Sequence, residues 1–131
     1  MAYNKYRVAP KSDRTYNGVL YASKAEAIRA QELDLLVRAG HVIEWERQPR
    51  YELGVLENVY HPDFLVTPAE GEPWAEEIKG YDKGGAHSMW WRNRALWKVY
   101  GPCELRVLKR KGKGWTTEVV EPANKENENA H

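Results

Sequence analysis

Apolar positions recur along this chain with two different periods. Between residues 23 and 39, Glu26, Ala30, Leu33 and Val37 fall at i, i+4, i+7 and i+11, which predicts one helix face and a stop at Gly40. Ser23 with Glu26 three positions on forms a capping-box sequence at its start. From 41 to 48 the period becomes two, with Ile43 and Trp45 on one face and Glu44 and Glu46 on the other, as in a half-buried strand. Pro49 interrupts it, and residues 51–53 continue it. Residues 59–66 and 74–79 read as two further strands around the Pro- and Gly-containing loop 68–73. Residues 86–100 read as a second helix, stopped by Gly101-Pro102, and 103–108 and 115–120 as the last strands, joined by a turn over 109–114. Asn17-Gly18 predicts a tight hairpin between residues 14–16 and 19–21. A helix, three strands, a helix and two strands imply an α/β fold: a central mixed β-sheet flanked by α-helices.

The chain's 131 residues are enough for one core and one domain. With 42% hydrophobic and 30% charged residues, a wholly disordered chain is excluded. Residues 1–13 lack a period and read as a flexible basic arm, 14–121 as the folded domain, and 122–131 as a disordered polar tail. A single cysteine, Cys103, leaves no internal disulfide and no multi-cysteine zinc site. The absence of a signal-like or membrane-spanning apolar run predicts an intracellular protein, cytoplasmic and without a membrane partner.

Acids stand where a central strand would not want them. Asp63 follows Pro62 and precedes Phe64-Leu65-Val66, and Glu77-Ile78-Lys79 lies 14 residues on. In an extended strand Glu77 and Lys79 share a face. A hairpin of the two strands would set Asp63 beside Glu77, and two close carboxylates repel unless a cation lies between them. Oxygen ligands of this kind suit Mg²⁺. The bland alternative is a surface ion pair between Glu77 and Lys79. Glu26 lies on the apolar helix stripe, so it either points at the same place or serves only as the capping-box acid, and the two roles are compatible.

Pro62-Asp63, the spacer and Glu77-Ile78-Lys79 resemble the signature of the PD-(D/E)XK nuclease superfamily, and residues 23–27 resemble the helix that carries its first acid. Tyr60-His61-Pro62-Asp63-Phe64, Glu76-Glu77-Ile78-Lys79-Gly80 and Gln48-Pro49 are similar to small phage nucleases related to Holliday junction resolvases. The likeness spans residues 14–108. It implies a restriction-endonuclease-like core and a structure-selective, Mg²⁺-dependent DNA endonuclease in which Mn²⁺ substitutes. It also implies that Asp63, Glu77 and the Ile78 backbone carbonyl bind metal, that Lys79 orients the attacking water, and that Glu26 holds a second metal or its water shell. Gln48 matches a family position without an assigned role. The expected substrate is a four-way junction, the expected assembly a homodimer supplying two sites, and the expected location a bacterial host cell with the gene carried by a phage. The alternatives are a restriction-, transposon-end- or repair-type nuclease, or an inactive DNA-binding module.

Charge then becomes informative by position. Twenty basic groups against 19 acids give a net charge of +1, which by itself argues against a nucleic-acid partner. Yet the basic residues cluster in three groups: Lys5, Arg7, Lys11 and Arg14; Arg92, Arg94 and Lys98; and Lys109, Arg110, Lys111 and Lys113. Each is a candidate for phosphate contact. The acids offset them at the candidate metal site and in the tail, so the balance is compatible with DNA binding.

Overall fold

The computed structural model describes residues 8–54, 57–80 and 88–123. A short helical turn, α1 (Lys11–Arg14), leads into the hairpin of β1 (Thr15–Tyr16) and β2 (Val19–Leu20). Asn17 (φ 50°) and Gly18 (φ 78°) both lie in the left-handed region that the tight turn requires. Helix α2 (Lys24–Arg38) follows, then β3 (Val42–Arg47), β4 (Tyr51–Glu52), β5 (Val59–Tyr60), β6 (Phe64–Pro68), β7 (Trp74–Lys79), α3 (Ser88–Tyr100), β8 (Glu104–Lys111) and β9 (Gly114–Val120). The main sheet runs β3-β6-β7-β8-β9. Only the β7–β8 pair is parallel, with α3 as the crossover between them. The fold is α/β with a central five-stranded mixed sheet flanked by helices, and β4 pairs with β5 beside it.

Strand alternation sorts the side chains onto two faces. Ala27, Ala30 and Leu33 of α2 pack with Val42, Phe64, Val66, Ile78 and Leu108 on one face. Trp97 of α3 packs with Tyr60, Ala75, Leu105, Val107 and Val120 on the other. Each large side chain buried in this way contributes roughly 1.5–3 kcal/mol relative to exposure. Ser23 caps α2 as its sequence predicts, accepting the Glu26 N–H at 3.1 Å. Trp97 is wholly buried, edge-on to Tyr51 and Tyr60, and donates its indole N–H to the Cys103 carbonyl at 2.7 Å. That bond pins the end of α3 to the start of β8.

Five expectations change. The strand expected over residues 59–66 is two strands, because Pro62 breaks the ladder before Asp63. Ile43 and Trp45 do not share the inward face: the β3–β6 register shifts between Val42 and Glu44, leaving Ile43 as the extra residue of a bulge and 61% exposed. Val42 and Trp45 therefore both meet the core although three positions apart. The basic turn expected over 109–114 is mostly strand: β8 runs to Lys111, which pairs with Gly114, so only Gly112 and Lys113 turn. The arm is not wholly irregular, because α1 orders residues 11–14. The tail is anchored at its start, because Pro122 is fully buried. Residues 1–7, 86–87 and 124–131, on which other parts of those readings fall, lie outside the described residues. Among the described residues no helix is long and apolar enough to cross a membrane.

Candidate active site

The site forms where two paired strands part. β6 and β7 pair over Phe64 with Glu76, Leu65 with Ala75 and Val66 with Trp74, and go no further. Beyond that point the Ile78 N–H donates to Asp63 Oδ2 at 2.7 Å. Asp63 is fixed from its other side too, since its carbonyl accepts the Gln48 N–H at 3.0 Å. Gln48 adopts φ 52°, an uncommon conformation for a residue with a Cβ. Its carbonyl lies 3.3 Å from Nδ1 of His61. Gln48 therefore has a structural role: its backbone ties the end of β3 to the segment that carries Asp63.

Three carboxyls converge there. Glu26 reaches in from the first turn of α2, buried at 8% exposure, and lies near enough to Asp63 to raise its carboxyl pKa. Its Oε2 accepts the Ser23 hydroxyl at 2.9 Å, a side-chain bond in place of the backbone N–H that a closed capping box would engage. Glu77 comes from β7, and its Oε1 accepts the Tyr60 hydroxyl at 2.5 Å. Lys79 shares the Glu77 face, with Nζ 3.6 Å from Glu77 Oε2 and 4.3 Å from the centroid of the Trp90 ring. It is thus held between a carboxylate and an indole. Glu26, Asp63, Glu77 and Lys79 stand together where β6 and β7 part.

Burial and mutual repulsion shape the electrostatics of these acids. Burial, then repulsion from Glu77 and Glu26, pushes the Asp63 carboxyl up to about 9. Burial also raises Glu77, against the opposing pull of Tyr60 and Lys79. Among the described residues no three His, Cys, Asp or Glu side chains already stand as a metal-holding group. The carboxyl oxygens are turned to Ser23, Ile78, Tyr60 and Lys79 instead. The donor set is nonetheless all oxygen and short of positive charge, which fits a hard divalent ion.

A pH dependence follows. An unfolded Asp loses its proton near pH 4, whereas Asp63 keeps its proton in the folded chain up to about 9. Between those limits the folded state binds more protons, so its stability falls as pH rises. Thermal melts of the metal-free protein at pH 5 and pH 8 should show the lower Tm at pH 8. Asp63→Asn should shrink that difference, raising Tm at pH 8 by about 4 °C or more, the shift expected for 1 kcal/mol in a domain of this size. An unchanged difference would remove Asp63 as its source.

The basic candidates divide. The β8–β9 hairpin lies beside the acids, because Lys79 and Lys109 are partners in the parallel ladder. Lys109, Lys111 and Lys113 are exposed. Arg110 lies 4.9 Å from the Trp115 ring centroid. On α3, Arg94 pairs with Glu118 and Arg92 with Asn58, while Lys98 is exposed. Arg14 is internal scaffolding rather than part of a surface patch: Nε donates to the Ala9 carbonyl at 2.9 Å and Nη1 to that of Tyr21 at 3.1 Å. Lys11 is exposed on α1, and Lys5 and Arg7 lie outside the described residues.

Sequence reasoning gave no role to Tyr60, Trp90, Arg29 or Glu76. Tyr60 and Trp90 are the neighbours that fix Glu77 and Lys79. Glu76, wholly buried on the opposite face of β7, is gripped by Arg29 of α2 through two bonds of 2.8 and 2.7 Å, and Trp74 Nε1 adds a third at 2.9 Å. The strand alternation that puts Glu76 between Trp74 and Ile78 was the available signal: an acid facing a helix across a central strand needs a cation.

No family model matches this chain, and no curated protein matches it either. A solved protein described as "Crystal structure of SSO0001" is similar to it, with 15% identity and a TM-score of 0.40. The match covers 72% of this chain and 50% of that one, so the chain spans half the length of that neighbour.

Proposed function

We propose that this chain is a Mg²⁺-dependent DNA endonuclease of the PD-(D/E)XK kind that nicks four-way junctions, leaving 5′-phosphate and 3′-hydroxyl ends. The observation that carries the reading is the convergence of Glu26, Asp63 and Glu77 beside Lys79 where β6 and β7 part. The choice of a junction, and of a homodimer to nick it twice about a two-fold axis, rests on the sequence resemblance.

Asp63, Glu77 and the Ile78 carbonyl would hold the ion, with Glu26 behind them for a second ion or its water; Mn²⁺ would substitute. Bound there, the ion supplies Lewis-acid polarisation of the phosphate and makes water a stronger nucleophile at neutral pH. The protein supplies position and charge. Tyr60 holds Glu77, Asp63 is fixed through Ile78 and Gln48, and Trp90 keeps Lys79 over Glu77. Lys79 is placed to orient the attacking water and to stabilise negative charge growing on the phosphate. The water oxygen bonds to phosphorus and releases a proton to solvent, the bond to O3′ breaks, and O3′ takes a proton from solvent. The exposed lysines of the β8–β9 hairpin neutralise flanking phosphates.

The test uses purified full chain with labelled four-way junction, linear duplex and single strand, in Mg²⁺ or chelator. Paired nicks in the junction, lost in chelator, are the expected result. Equal cutting of linear duplex would overturn junction selectivity, and binding with no cutting of any substrate would overturn catalysis. Glu26→Gln keeps an oxygen for Ser23 and gains a donor for Asp63, so its stability should stay within about 1 kcal/mol of the parent. Its cleavage rate should fall about tenfold or more, equivalent to about 1.4 kcal/mol of barrier. Full activity would confine Glu26 to capping α2.

A further inference from the structure

A cavity of about 470 Å³ opens at the start of α2, lined in part by Ser23, whose hydroxyl donates to Glu26. Its walls are largely apolar, built by Ala9 ahead of α1 and by Ala22, Ala25 and Ile28 at the start of α2. Lys24 and Arg110 supply its charge, and Gly80, the residue after Lys79, forms another part of its lining. Ala25 lines the cavity while its neighbour Glu26 enters the acid cluster, so one turn of α2 divides the two spaces. Hydrolysis of a phosphodiester makes no use of such a space. Its volume lies within the roughly 300–1,000 Å³ of small-ligand pockets.

The chemistry selects the occupant. The alanine and isoleucine walls suit the face of a heterocycle, and Ser23 adds a hydroxyl at one side. Arg110, held near Trp115, brings a planar cation of the kind that stacks on bases. Lys24 offers charge for the phosphate attached to such a base. We infer that this cavity receives an unpaired nucleobase from the strand being cut, drawn out of the stack next to the scissile phosphate. The inference rests on the nuclease reading of the acids and gives that reading a source of selectivity. Extruding a base from intact duplex costs a few kcal/mol, and less where the base is already unpaired. A branch point that exposes an unpaired nucleotide would therefore be favoured over continuous duplex with no base sequence being read.

A four-way junction carrying 2-aminopurine, a fluorescent adenine analogue quenched by stacking, tests this at each position flanking the branch. The full chain is titrated in Ca²⁺ and fluorescence is read together with binding. With the parent chain, at least about a threefold rise at one position marks an extruded base. Ala22→Trp fills the cavity from an exposed position, so it should abolish the rise even at protein concentrations that saturate the junction. Arg110→Ala should reduce the rise as well, and it carries the comparison if Ala22→Trp melts far below the parent. No rise at any position, or a rise unchanged in both variants, overturns the pocket assignment. The readout needs no cleavage: nicking without a fluorescence rise would sink the pocket and leave the nuclease, while a cavity-dependent rise without nicking would do the reverse.

Discussion

Under the proposed nuclease function, Asp63→Asn will reduce junction cleavage in Mg²⁺ by at least about a thousandfold, equivalent to about 4 kcal/mol of transition-state stabilisation. The residue has two roles, and the substitution separates them. Asparagine still offers an oxygen to the Ile78 N–H, which Asp63 binds at 2.7 Å, so the opening between β6 and β7 keeps its shape. What is lost is the negative charge that a divalent ion would meet. The metal-free variant should therefore be at least as stable as the parent at pH 8 while being inactive, because it removes a carboxyl that burial and two neighbouring acids hold protonated. Single-turnover cleavage and a thermal melt on the same preparation decide the matter. Retained cleavage, or a melt far below the parent's, would show that Asp63 acts as structure rather than chemistry.

Arg29→Ala will cost about 3–5 kcal/mol of folding stability, the usual result of stripping the partner from a buried charge. Glu76 has no exposure, and Arg29 supplies two of its three hydrogen bonds; only the Trp74 indole would remain. Urea unfolding followed by circular dichroism measures the loss. The double replacement Arg29→Met with Glu76→Leu should recover most of it, because neither charge then needs a partner. A loss below about 1 kcal/mol in the single variant would mean that water or another side chain reaches Glu76.

The two experiments also separate what the sequence could show from what it could not. Helix α2 was legible because its cap, its stripe and its terminal glycine are local and agree. Asp63 and Glu77 stood out because acids in central strands conflict with their surroundings, and Lys79 stood out because it shares the face of Glu77. Arg29 was not legible, because the cation that answers Glu76 lies 47 positions away and nothing local marks it. Ile43 misled for a related reason. Alternation assumes a regular ladder, and one extra residue inverts the expected face without altering the pattern of residue types. The basic run over 109–113 reads as a turn by composition, yet pairing with β9 extends β8 through Lys111. For Glu76 and Ile43 a partner distant in sequence overrode the local signal, and for residues 109–111 a hairpin partner did.

The bulge at Ile43 bears on how copies of this molecule meet. β3 forms one border of the sheet, where a straight strand would present a row of backbone donors and acceptors to any passing chain. The extra residue bends that border and spoils the regular spacing that another strand would have to match. Self-association by extending the sheet is discouraged on that side, and the seven-residue β9 is left as the straighter template.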